Sequence, residues 1–197
     1  RVLLTTVLVG KMLRRGFVLL FAWLSAANFG AAFPQDALKK GCSLFKYRFL
    51  EPQEMKAMKK MTDHFEGSML PSDHRCNTKL FHRKWDSEEL SVPDRMMLVK
   101  AELDLVTDML ELLDNPSFTE THQRPLAFLT QAQEDLRVCM ATEAPSHQPS
   151  KKLRHWLQKL QIAKKTETTG CLTASAIFHL FQVLDDLRCA AGREPCA

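Results

Sequence analysis

Residues 91–114 read SVPDRMMLVKAELDLVTDMLELLD, and this stretch decides the fold. Ser91 can cap a helix, Pro93 and Asp94 suit its first turn, and Leu98, Leu103, Val106, Leu110 and Leu113 recur on one helical face. Asn115 and Pro116 are expected to stop it. A stripe of five large apolar side chains demands amphipathic neighbours to cover it, and the flanking sequence supplies them.

Upstream, a first helix is expected from Pro52, whose fixed φ suits the opening position and whose missing N–H is not needed there. Met55, Met58, Thr62, Phe65 and Met69 form its inward stripe, Lys56, Lys59, Lys60 and Asp63 face outward, and Pro71 ends it. Downstream, Gln123–Met140 carries Leu126, Leu129, Ala132, Leu136 and Cys139. Lys151–Lys164 carries Leu153, Trp156, Leu157 and Leu160. Leu172–Arg188 carries Ile177, Leu180, Leu184 and Leu187. Only Tyr47–Leu50 is extended enough to consider as a strand, so the class is all-α. Asp86–Leu90 can add one turn of helix inside the link from Pro71 to Leu90. That link of roughly 20 residues is long enough to run the length of a helix, which points to a long-crossover bundle rather than a simple up-and-down one.

The ends of the chain fix the compartment. Met12, Leu13, Arg14 and Arg15 make a basic start, Phe17–Leu24 an apolar core, and Ser25–Ala32 a small-residue stretch, the three parts of a signal peptide. Cleavage after Ala32 leaves Phe33 first. Residues 1–11 are expected to be upstream or fragment sequence without a function of their own, 12–32 the signal peptide, and 33–197 one helical domain. A membrane anchor is disfavoured, because Lys11, Arg14 and Arg15 split the apolar residues into runs shorter than the roughly 20 that a span needs. All six cysteines (Cys42, Cys76, Cys139, Cys171, Cys189, Cys196) follow the leader. An even number in an exported chain implies disulfides, with 15 pairings open.

Charge excludes one class of partner. Residues 1–32 hold four of the chain's 27 bases and none of its 23 acids, which leaves 23 of each in residues 33–197. A neutral domain lacks the basic excess of a nucleic-acid binder. The charge is uneven, however: Asp86–Glu120 has ten acids against Arg95 and Lys100, while Lys151–Lys165 has six bases and no acids. These segments can pair, steer different partners, or simply present two solvated faces.

Catalytic and metal chemistry find no support. His64, His74, His82, His122, His147, His155 and His179 lack zinc-site spacing and read as solvated surface residues. The neighbours Glu88 and Glu89, and Asp185 and Asp186, point in different directions from a helix and cannot share a proton. Seven glycines are scattered singly, without a phosphate loop, and Pro116 disqualifies Asn115-Pro116-Ser117 as a glycan acceptor. No enzyme activity, cofactor or metal is expected.

Several separated motifs occur together in order: Gly41-Cys42; Leu50 with Pro52-Gln53-Glu54; Trp85-Asp86; Ala101-Glu102-Leu103; Pro125-Leu126; Leu153 with His155-Trp156-Leu157; and Gly170-Cys171-Leu172 with Ala174-Ser175, Phe178, Leu180 and Phe181. Together with the cysteines, this pattern resembles the type III interferons, the interferon lambda cytokines, over residues 41–196. Two positions depart from it: Arg124 precedes Pro125 where glutamine is usual, and Glu51 replaces a serine able to cap the first helix. The resemblance implies the pairs Cys42–Cys139, Cys76–Cys171 and Cys189–Cys196. It also implies a secreted antiviral monomer that brings together the interferon lambda receptor chain and the interleukin-10 receptor beta chain.

In that family the first helix, the crossover and the last helix form the face for the high-affinity receptor chain. The resemblance places Pro52, Lys59, Lys60, Asp63, Phe178, Phe181 and Asp185 there. The residues agree in one respect, since Phe178 lies about 100° from the inward Ile177 and projects beside Gln182 and Asp185, as a binding anchor would. Two rivals remain: a secreted carrier enclosing an apolar ligand among Met55, Met58, Met61 and Met69, and a cytokine of the interleukin-10 group.

Overall fold

The computed structural model describes residues 42–68, 76, 80–113, 116–192 and 196, apart from the side chains of 116 and 117. The leader, and Met69 and Pro71 at the end of the first expected helix, lie outside these residues. Among the described residues six helices follow one another: α1 Pro52–Ser68, α2 Val92–Glu111, α3 Pro116–Glu143, α4 Lys151–Thr166, α5 Thr169–Phe178 and α6 Leu180–Gly192. Two 3-10 turns, Phe45–Arg48 and Ser87–Glu89, precede α1 and α2. No strand occurs among the described residues. Tyr47 is not extended but sits in the first 3-10 turn, buried edge-on against Phe128, with its hydroxyl donating to Asp135 at 2.7 Å.

α2 is the axis of the bundle and touches α3, α4, α5 and α6. Ser91 caps it by accepting the Asp94 N–H at 3.4 Å. Leu98, Leu103, Val106 and Leu110 are fully buried as expected, but so are Val99 and Leu105, because neighbours cover the helix on more than one side. In α1 only Met58 and Met61 are buried, with Met55 and Phe65 packed at the core edge. Met61 is a core residue that the expected stripe omitted.

Two boundaries differ from expectation. α3 starts at Pro116, seven residues before Gln123, so this proline opens a helix rather than stopping one. The extra turns are held by Phe118, buried against His64, Phe65 and His122. The helix runs on through Pro125 and gives up the bond that this residue's N–H would make to the Thr121 carbonyl. The single last helix is divided at His179. There the Ser175 carbonyl lies 3.2 Å from the His179 N–H and 2.9 Å from His179 Nδ1, while Phe81 of the crossover stacks on the ring at 4.7 Å.

Disulfides join Cys42 to Cys139, Cys76 to Cys171 and Cys189 to Cys196, with Cα separations of 4.4, 5.3 and 4.8 Å. The first two close loops of 97 and 95 residues, each restricting the unfolded chain by roughly 4–5 kcal/mol in the loop-entropy account. One pins the N-terminal arm to α3, and the other ties the crossover to α5.

Side chains fasten the crossover as well. The buried Trp156 indole donates to the Leu80 carbonyl at 3.0 Å, and Gln182 donates to the Phe81 carbonyl at 3.3 Å. Arg95 gathers the carbonyls of Ser87, Glu88 and Leu90 at 2.9–3.1 Å. Arg83, only 5% exposed, enters between helices to meet Glu102 of α2 at 2.9 Å and Asp186 of α6.

Candidate functional site

The crossover, α1 and α5–α6 form a continuous surface because aromatic contacts join them in series. Phe65 of α1 meets Phe178 edge-on at 5.9 Å, and Phe81 of the crossover stacks on His179 one residue further along. Near the other end of α1, Arg48 shares a groove of about 450 Å³ with Asp185 and Arg188 of α6. The two elements therefore run antiparallel. The 13 residues from Pro52 to Phe65 span about 20 Å at the helical rise.

Phe178 remains 37% exposed although one edge touches Phe65, so it is an aromatic at the surface rather than a residue sealed under the crossover. Phe181 packs at the core edge. Pro52, Lys59, Lys60 and Asp63 are exposed on α1, but Lys59 and Asp63 pair with each other at 2.9 Å. The Asp185 side chain is 71% exposed and bonded to Arg188 at 3.1 Å, whereas that of Asp186 is 6% exposed and spent on Arg83. The seven residues thus lie on elements that the fold brings together. Lys59, Asp63 and Asp185 reach a partner only by exchanging local ion pairs, which contribute little by themselves.

The buried cluster behind this surface was not legible in the sequence. Arg83 Nη1 donates to Glu102 Oε1, and Glu102 Oε2 is enclosed without a donor. Burial, then the nearby Asp186 charge, raise the Glu102 carboxyl well above its ordinary value despite Arg83. A proton on Glu102 makes its carboxyl a donor towards Asp186 and leaves one cation facing one anion, Asp186. The Ala101-Glu102-Leu103 motif therefore supplies a buried acid, shifted towards its protonated form, that clamps the crossover.

The histidines correct the expectation of a solvated set. His122 is buried with Nδ1 2.9 Å from the Phe118 carbonyl, and His147 lies 2.8 Å from Asp94. For Asp94, burial alone would raise the carboxyl, but donors on Ser150 and His147 outweigh it and hold it below its ordinary value. Burial lowers His179, opposed by its bond to Ser175 and helped by His82. No group of three or more potential metal-ligating His, Cys, Asp or Glu side chains occurs among the described residues.

Arg124, one of the two departures from the family pattern, bonds Glu54 at 2.6 and 3.0 Å and Gln53 at 3.4 Å. It braces the start of α1, where the Glu51 carbonyl accepts the N–H groups of Glu54 and Met55. On this side the sequence also gave no warning of Phe45 and Phe49, which remain 63% and 72% exposed. Beside Phe49 a groove of about 430 Å³ is lined by Tyr47, Leu50, Arg124 and Phe128.

Met55, Met58 and Met61, which a carrier would need around its ligand, line none of four surface grooves, and Met58 and Met61 are consumed in the core. No described helix is long and apolar enough to cross a membrane.

Known proteins resolve the choice between cytokine branches. A family profile described as Interleukin-28A matches residues 39–193. Interferon lambda-3 of Gallus gallus is 64% identical over 165 residues, covering 84% of this chain and 89% of the relative. Interferon lambda-2 of Mus musculus is 34% identical over 160 residues (80% and 83%), and interferon lambda-1 of Homo sapiens 34% over 159 (80% and 80%). Helical bundle, disulfides and sequence agree: this chain belongs to the interferon lambda family, the type III interferons, and is a non-enzymatic antiviral cytokine that acts by binding receptor chains.

Proposed function

We propose that the chain is secreted after cleavage of residues 12–32 and that residues 33–197 work as a monomer bridging two receptors. The interferon lambda receptor chain takes the surface of α1, the crossover and α5–α6, with Phe178 as the anchor. Phe181, Pro52, Lys59, Lys60, Asp63 and Asp185 surround it. The interleukin-10 receptor beta chain takes the side of the N-terminal arm, around Phe45 and Phe49. Signalling chemistry then belongs to kinases attached to the receptors and to transcription factors that they phosphorylate.

The observation that carries this reading is the fastening of the crossover. Cys76–Cys171, the Trp156 bond to Leu80 and the Arg83 cluster tie the described part of the crossover to α5, α4, α2 and α6. A loop ordered before binding loses little entropy on binding, so a preformed face suits a receptor better than a mobile one. Exposed aromatics amid polar groups are the usual anchors of such faces.

The test is binding of the purified, disulfide-bonded protein to both ectodomains, singly and together, with a type I interferon receptor ectodomain as control. A complex of one ligand with one copy of each chain is expected. Folded protein that binds neither, or binds the control equally, contradicts the proposal.

A further inference from the structure

Six bases and no acids lie between Lys151 and Lys165, and the packing of α4 decides which are neutralised. Lys152 reaches Glu89 and Lys164 reaches Asp108 at 2.9 Å, so the acidic and basic segments do pair at two points. Lys151, His155 and Lys159 stand four residues apart on α4 and are all exposed. They form a row with about 6 Å between successive residues along the axis. Opposite the row runs the crossover with His82 and Lys84, and a groove of about 670 Å³ separates the two. No acidic residue occurs among the described residues that line this groove.

Stability does not explain the arrangement. α4 has no acid in its first turn, and Lys151 and Lys152 stand at the end of the helix that repels cations. Arg83, also in the lining, is spent on Glu102 and Asp186, and that bond fixes the opposite wall in place. A neutral domain with one preformed cationic groove attracts an anionic chain locally rather than by overall charge.

We propose that this groove binds a sulfated glycosaminoglycan chain. Nucleic acid fits less well, because single strands need free aromatic faces for stacking. Trp156 is buried, while Trp85 has the Arg83 guanidinium at 5.0 Å and the Lys152 ammonium at 5.8 Å over its ring. A lipid surface fits less well too, since none of the exposed large apolar side chains lines the groove. Sulfate groups along a sugar chain require only spaced cations, which Lys84, Lys151 and Lys159 supply. The groove shares the crossover with the proposed receptor face but does not include the anchor Phe178.

The experiment is retention of the disulfide-bonded protein on immobilised heparin near 0.15 M salt, with release as salt rises. Desulfated heparin, a single-stranded oligonucleotide and phosphatidylserine vesicles serve as competitors, each expected to compete at least about tenfold more weakly than heparin. The double variant Lys151→Glu/Lys159→Glu is expected to lose at least about tenfold in affinity with an unchanged thermal midpoint. Lys56→Glu/Arg137→Glu, an equal charge change on other helices, is expected to keep it. Equal losses in both variants, absence of retention, or competition by oligonucleotide, vesicles or desulfated heparin as strong as by heparin would overturn the proposal. Receptor binding takes no part in this assay, so its outcome stands apart from the receptor reading.

Discussion

α1 and α2 are of similar length, 17 and 20 residues, yet α2 buries twelve side chains and α1 buries two. Both carry helical apolar stripes, so the difference lies in how many neighbours each has. α2 is surrounded by four helices, whereas α1 rests against the bundle and keeps most of its circumference outward. A helix that must hold the core together has little surface left with which to meet a partner. The recognition surface we propose accordingly draws on α1, on the outer side of α6 and on the strapped crossover.

That contrast breaks first at the clamp between them. Arg83→Met strands Asp186 without its cation and is expected to cost about 3–5 kcal/mol, measured by urea unfolding, because removing one partner of a buried pair leaves an uncompensated charge. A small loss would mean that water reaches the cluster. Next, Leu103→Ala, at a fully buried position of α2, is expected to cost about 2–5 kcal/mol, with receptor affinity of the folded fraction unchanged. Phe178→Ala should invert this pattern. Receptor affinity falls by more than about 1 kcal/mol, while stability falls by no more than the worth of one aromatic edge contact, about 0.5–1.5 kcal/mol. A stability loss as large as that of Leu103→Ala would place Phe178 with the core.

Glu102→Gln sharpens the comparison by pH. A carboxyl raised in the folded state keeps a proton that the unfolded chain releases above about 4.5, so its stabilising effect is whole at acid pH and declines as pH rises towards the folded value. Glutamine mimics the protonated acid at every pH. The variant should therefore match the parent below about pH 4 and exceed it increasingly towards pH 8, and a variant less stable at pH 8 would show that Glu102 is ionised in the fold. The smallest effect is expected from Lys59→Ala on the rim, within about 0.5 kcal/mol of parental stability.

Much of this was legible in the residues. Ser91, Pro93 and the leucines of α2 announce themselves because caps and a 3.6-residue period are local properties. The family resemblance gave the disulfide pairing that arithmetic left open among 15 arrangements. What escaped depended on meetings between distant segments. Nothing near His179 in sequence divides the last helix; Phe81, about a hundred positions earlier, stacks there. Phe118 extends α3 because α1 supplies His64 and Phe65 to cover it. Arg83, Glu102 and Asp186 look like three ordinary surface charges until the crossover carries the first between the other two.

Local sequence thus determined the helical class, the main helical segments and the identity of most core residues, since these follow from periodicity and capping within a few turns. Which aromatics stay outside, which charges are swallowed and which cations are left without a partner were decided only when the helices packed. Burial and electrostatic pairing are relations between side chains many residues apart, and no single segment contains both members.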